Sequence, residues 1–184
     1  MTKHTTPHTL QHARHVYLAG PIMGCTEGEA NDWRKFIADL LLPHNIVAMS
    51  PLRCEPIRGE RYSLSSPDPK FGTARAIGAK NRFDVVTCPI TIACLPLPAA
   101  GRVQSYGTIG EIHWADAYGR QVILCTNDPI IAQHPVIDSA CDWKLVTSDC
   151  PGGQPEFPAL IDTLRGAVEI VIGVLGGYTG GRHV

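Results

Sequence analysis

The chain has 184 residues, of which 44% are hydrophobic and 18% charged. That is enough apolar material for the core of one ordinary domain, and it excludes a disordered chain. Lysine and arginine number 16 against 17 aspartates and glutamates, a formal charge of −1. No broad electrostatic grip on a nucleic acid polymer or an anionic membrane follows from such a balance, so a bound anion needs a local site.

The polar, His-rich opening, residues 1–14, lacks the apolar segment of a signal peptide and is expected as a flexible arm. Residues 16–19 are a short apolar run that stops at Gly20-Pro21, as a strand entering a loop does. Over residues 29–42, Trp33, Phe36, Ile37, Leu40 and Leu41 fall at helical spacing with acidic residues near the start; Pro43 and Asn45 end the helix. Residues 46–49 read as a second buried strand, followed at once by the loop Ser50-Pro51-Leu52-Arg53. From about 54 to 72 the chain carries Pro, Gly, Ser and charge without a period, the mark of a functional or mobile loop.

Helical character returns over 73–86, and residues 90–95 read as a third buried strand that ends in a loop at 96–101. A helix over 108–118 closed by Gly119, a fourth strand at 121–125 and a weaker fifth at 143–147 follow. Residues 158–175 fit a final helix, with a strand as the alternative because Val168, Ile170, Val171, Ile172 and Val174 are β-branched. Residues 176–184 form a Gly-rich tail. Apolar strands alternating with amphipathic helices predict a single α/β domain over residues 15–175, with a parallel sheet covered on both faces. Ligands of such sheets bind beyond the carboxyl ends of the strands, which directs attention to residues 20–28, 50–53, 96–108 and 126–134. No stretch reaches the roughly 18 apolar residues of a membrane span. The seven cysteines, Cys25, Cys54, Cys88, Cys94, Cys125, Cys141 and Cys150, are scattered without a CxxC pair. They read as reduced thiols packed like small hydrophobes, hence a cytoplasmic protein.

Neither GxGxxG nor a Walker GxxxxGK[ST] occurs, so the dinucleotide and P-loop readings lose their support. Gly107-Thr108-Ile109-Gly110 places glycines at the mouth of a helix, where free N–H groups meet anions, although glycine also serves turn geometry. Glu111 follows in the first turn of that expected helix. It either complements the helix N-terminus, for about 0.3–1 kcal/mol, or attacks an electrophilic carbon at the sheet edge, with Ser105, Tyr106 and Thr108 beside it. Asp84, on the preceding long helix, is a solvated helix residue or a proton donor to a departing base. One nucleophilic and one acidic carboxylate are the equipment of a retaining glycosyl transfer.

The segments Tyr17-Leu18-Ala19-Gly20-Pro21-Ile22, the helix from near Glu29, Arg82-Phe83-Asp84 and Ser105-Tyr106-Gly107-Thr108-Ile109-Gly110-Glu111 together resemble the nucleoside 2-deoxyribosyltransferase family, over residues 15–125. The resemblance implies a flavodoxin-like doubly wound parallel sheet of about five strands with helices on both faces. It implies cleavage of the N-glycosidic bond of a 2′-deoxynucleoside and transfer of the sugar to an acceptor base, with no metal and no cofactor. Glu111 would form the glycosyl ester, Asp84 would protonate the leaving base, and Tyr17 would position the nucleophile. Gly20, Pro21, Ile22, Arg53, Ser105, Gly107 and Thr108 would contact substrate. The implied partners are a deoxynucleoside or deoxynucleotide, a free nucleobase and further copies of the chain, since sites in the family are often completed by a neighbouring subunit.

Departures from the family pattern keep other readings open. Transferases acting on free nucleosides carry a carboxylate where this chain has Ser105, whereas the related 2′-deoxynucleoside 5′-monophosphate N-glycosidases carry serine. A hydroxyl donates to phosphate where a carboxylate repels it, so a monophosphate hydrolase is the alternative, and Arg53 and Arg102 are candidate phosphate ligands. Asn81-Arg82 and Cys88-Pro89 stand where the family often has aspartates, which motivates a non-catalytic nucleotide-binding module as a further reading. His4, His8, His12 and His15 have metal-binding spacing only if their polar segment is helical. His113 and Trp114 read as helix-to-sheet packing, residues 65–69 as a lid or subunit contact, and Tyr178 as a candidate interface residue.

Overall fold

The computed structural model describes residues 14–54, 60–63, 72–99, 101–147 and 157–176. Five strands, β1 (Arg14–Ala19), β2 (Ile46–Met49), β3 (Ile90–Leu95), β4 (Gln121–Thr126) and β5 (Trp143–Val146), form one sheet in the order β2-β1-β3-β4-β5. Every pairing is parallel. This is the flavodoxin-like strand order, and the order reverses between β1 and β3, the point near which ligands of such sheets bind.

Among the described residues six α-helices accompany the sheet: α1 (Glu27–Leu41), α2 (Ala74–Thr87), α3 (Tyr106–Ala117), α4 (Pro129–Gln133), α5 (Pro135–Ser139) and α6 (Ile161–Leu175). Side chains alternate across each strand. Val16, Leu18, Ile90, Ile92, Ile123 and Cys125 join a core with Trp33, Ile37 and Leu41 of α1 and Leu164, Ala167 and Val171 of α6. Tyr17, Ala19, Ala93, Leu95, Val122 and Leu124 face the opposite way, onto Val85 of α2 and Ile112 and Ala115 of α3. Both faces are covered, which is why the strands read as continuous apolar runs. The same alternation sends Tyr17 to the α2–α3 side.

Helix starts differ from the expectation because caps, not apolar spacing, set them. Thr26 and Glu29 form a reciprocal capping box, so α1 begins at Glu27. Ser105 caps α3 by accepting from the Thr108 amide, so the helix begins at Tyr106 and Glu111 lies in its second turn. The helix-dipole reading of Glu111 is thereby corrected, since that effect fades after the first turn. Residues 161–175 are helical throughout; Leu164, Ala167, Val168 and Val171 fall on one buried stripe, and tertiary burial overrides β-branched preference. Asn45, in the left-handed conformation at φ 56°, ends the turn after α1. The short helices α4 and α5 were not among the expected elements; each opens on a proline, and Asp128 caps α4.

The five described free cysteines are Cys25, Cys88, Cys94, Cys125 and Cys141. His15 lies exposed on β1, so a helical histidine face does not extend to it. His4, His8, His12, the stretch 65–69 and Tyr178 lie outside the described residues. No helix among the described residues is long and apolar enough to cross a membrane.

Gly20 ends β1 against α1: a Cβ built there would stand 2.4 Å from Cζ2 of Trp33, whereas one at Gly107 would meet nothing within 4 Å. Gly20→Ala is therefore expected to cost about 1–3 kcal/mol through overpacking. Gly107→Ala, on an exposed helical turn, is expected to leave stability unchanged or raise it by up to about 1 kcal/mol. Denaturant unfolding of the two variants checks the contrast.

Candidate active site

A buried carboxylate lies where α3, β1 and α2 meet. Glu111 projects from α3 and is only 5% exposed. The Tyr17 hydroxyl, from β1, donates to its Oε1 at 2.7 Å, and the Asn81 amide, from α2, donates to the same oxygen at 3.0 Å. Three elements thus converge on one atom, and Oε2 accepts no hydrogen bond among the described residues. Burial pushes the Glu111 pKa up to about 7, opposed by the Tyr17 bond, the Arg34 charge, the Asn81 bond and the Lys80 charge. Burial, then the adjoining carboxylate, raises the Tyr17 phenol well above its ordinary value, so it stays a donor.

Arg34 is the residue that sequence patterning overlooks. It sits on the buried side of α1, 3% exposed, with its guanidinium 4.4 Å from the centroid of the Trp33 ring. Nη2 donates to the Gly20 carbonyl at 2.9 Å, Nε to Leu18 at 3.4 Å, and Nη1 to the carbonyls of Ala30 and Pro21. These acceptors are all backbone oxygens, and its charge acts on Tyr17 and Glu111. A charged residue beside a core tryptophan inside an amphipathic helix was the available signal.

Asp84 is 1% exposed and lies one turn beyond Asn81 on α2. Both its oxygens are held by Arg53, Nη1 to Oδ2 and Nη2 to Oδ1 at 2.7 Å each, while Nη1 also reaches the Ser50 carbonyl at 3.0 Å. Of the two expected carboxylates, Glu111 stands with Tyr17, and the α2 residue touching it is an amide. Asp84 stands close enough for its charge to act on Tyr17. The Oδ1 atom of Asn81 is buried without a hydrogen-bond partner.

The other expected contact residues divide between scaffold and open surface. The Gly20 and Pro21 carbonyls serve Arg34, and Ile22 packs against the cluster of Cys25, Ala30 and Leu52. The Ser105 and Thr108 hydroxyls bond each other at 2.9 Å inside the α3 cap. Gly107 and Gly110 have no neighbour within 4 Å of an added Cβ, so glycine there is not demanded by the protein's own packing. Arg102 reaches Glu29 at 3.4 Å and the Cys25 sulfur at 3.9 Å. His113 bonds the Ile109 carbonyl within α3 at 2.8 Å, and Trp114 packs against the core beneath. Among the described residues no group of three or more His, Cys, Asp or Glu could hold a metal ion.

A folded-state pKa of about 7, above the ordinary 4.5, sets the sign of a stability effect. Glu111 ionises in the unfolded chain first. Its contribution to stability is full below about pH 4.5 and is lost as pH rises through about 7, by on the order of 3 kcal/mol. Glu111→Gln keeps an acceptor for Tyr17 and removes the titration. Its stability relative to wild type should therefore be higher at pH 8 than at pH 4, by that order, in denaturant unfolding at the two pH values.

No family model matches the chain, and no curated protein matches it. Solved structures do. A 2-deoxyribosyltransferase from Bacillus psychrosaccharolyticus superposes with a TM-score of 0.51 at 16% identity, covering 71% of this chain and 85% of its own. The molybdenum cofactor binding protein of Rippkaea orientalis superposes with a TM-score of 0.52 at 14% identity, covering 90% and 99%. The CMP N-glycosidase BcmB of Clostridium botulinum is similar at 0.47 and 15%, covering 74% and 90%. Identities this low speak for architecture alone, and the fold implied by the resemblance to the nucleoside 2-deoxyribosyltransferase family is the fold this chain has.

Proposed function

We propose that this chain is an enzyme of N-glycosidic bonds, cleaving a 2′-deoxynucleoside and transferring the deoxyribosyl group to an acceptor base through an ester on Glu111. The observation that carries this reading is the buried Glu111 carboxylate with its Tyr17 bond. Both donors end on Oε1, which leaves Oε2 to attack the anomeric carbon. As the carbon–oxygen bond forms, the carbon–nitrogen bond breaks and its electron pair goes to the base. The carboxylate stabilises the positive charge that develops on the sugar, and its dry surroundings strengthen that effect. An acceptor base, or water, then displaces Glu111.

A second reading, hydrolysis of 2′-deoxynucleoside 5′-monophosphates, is favoured by Ser105 at the start of α3 and by Arg53 at the carboxyl end of β2. A nucleotide-binding module without chemistry would share the fold, as the molybdenum cofactor binding protein does. Such a module has no use for a carboxylate held half-ionised near neutrality beside a phenol.

Intact mass after mixing with a 2-fluorinated deoxynucleoside should show a glycosyl adduct on wild type and none on Glu111→Ala; wild type without adduct at long times would sink the covalent mechanism. Base exchange that requires an added acceptor marks transfer, and free sugar or sugar phosphate marks hydrolysis. Removing one hydrogen bond to a charged group, as in Tyr17→Phe, should lower kcat/KM roughly 10–100-fold. Since Glu111 must be ionised to attack, kcat/KM should rise with pH and level off above about 7.

A further inference from the structure

A departing base needs a proton as the carbon–nitrogen bond breaks. Asn81, the α2 residue that touches Glu111, carries an amide and cannot supply one. Asp84 is one turn along the same helix, buried, and near enough for its charge to act on Tyr17. Both its oxygens, however, are taken by the end-on fork of Arg53 at 2.7 Å. Arg53 reaches Asp84 from the turn after β2. Its side chain is 35% exposed and lies in the 3-10 turn Pro51–Cys54 after β2, on the side of the sheet where ligands of such folds bind.

We propose that Arg53 is a substrate-operated latch on Asp84: an anionic substituent of the substrate, with the chemistry of a 5′-phosphate, takes over the guanidinium fork, and Asp84 binds a proton and becomes the acid for the leaving base. The inference rests on the second reading above, in which the substrate is a 5′-monophosphate. An end-on fork serves one bidentate partner at a time, and phosphate matches its geometry as a carboxylate does. A carboxylate left buried without its cation takes up a proton rather than remain charged. The groups facing Asp84 are Arg53 from the β2 loop, the Tyr17 phenol of β1 and the Cys88 thiol at the end of α2, with Arg120 acting on Cys88. Burial holds both the phenol and the thiol neutral, Cys88 being pushed up to about 12. The proton on Asp84 comes from solvent and passes to the base nitrogen as the C1′–N electron pair moves there, while Glu111 closes the new bond to C1′. A nucleoside without a phosphate leaves the latch shut, so Arg53 becomes the residue that selects the substrate.

Two measurements on the full chain test this. In weakly buffered solution at pH 7, binding of a deoxynucleoside 5′-monophosphate should draw about one proton per molecule bound. That uptake should vanish in Asp84→Asn and persist in Glu111→Gln. The kinetic readout is the ratio of kcat/KM for monophosphate to that for nucleoside, which Arg53→Met should lower at least tenfold and Arg53→Lys less. Melting curves identify any variant that is not folded. Uptake that survives Asp84→Asn, or an Arg53→Met loss equal for both substrates, overturns the latch. Uptake on adding inorganic phosphate alone would also support it, showing that the anion suffices. A chain that takes up the proton yet cleaves neither substrate keeps the latch and loses the glycosidic reading. One that cleaves nucleosides and binds no phosphate monoester does the reverse.

Discussion

Everything at the site depends on holding a carboxylate where water cannot solvate it. Burying Glu111 costs free energy that no single neighbour repays, and the chain offsets it with several: the Tyr17 phenol at 2.7 Å, the Asn81 amide at 3.0 Å, and the fixed positive charge of Arg34 nearby. Each comes from a different element, β1, α2 and α1, and each is itself fixed by the core. Tyr17 faces α3 only because strand alternation puts Val16 and Leu18 on the other side. The geometry around Glu111 is thus a by-product of how the two faces of the sheet are packed.

Much of this was legible from residue order alone, and the limits follow from physics. The five strands are short apolar runs bounded by Gly, Pro and polar residues, so their existence is a local property. The α/β alternation then restricts topology to a few solutions. Glu111 and Tyr17 were readable because the strand and the helix entry that carry them are distinctive motifs. The start of α3 was not, since Ser105 and Thr108 are equally plausible as loop residues until the cap is formed. The partners of Asp84 were still less accessible. Asp84 and Arg53 lie 31 residues apart, and Asn81 and Glu111 lie 30 apart. Which of two polar residues on one helix meets Glu111 depends on a rotation of that helix that no periodicity in α2 dictates.

Fold and chemistry separate cleanly here. A deoxyribosyltransferase and a molybdenum cofactor binding protein resemble this chain about equally well in backbone, at TM-scores of 0.51 and 0.52. The scaffold therefore says little about the ligand, and the reading of function falls on a handful of side chains where α3, β1 and α2 meet. Arg34 illustrates the coupling between the two levels. Its donors close off the carbonyls of the Gly20–Pro21 turn, a structural task, while its charge falls on the reacting group.

The close fit of Gly20 under Trp33 bears on how such a site can diversify. A side chain cannot be introduced at that position without displacing an indole that belongs to the main core. That end of β1 is inherited with the scaffold. Room for new groups lies instead at the start of α3, where a Cβ at Gly107 or Gly110 would meet nothing within 4 Å. Side chains can therefore be added at the entrance of α3 at little cost, while the end of β1 admits none without repacking the core.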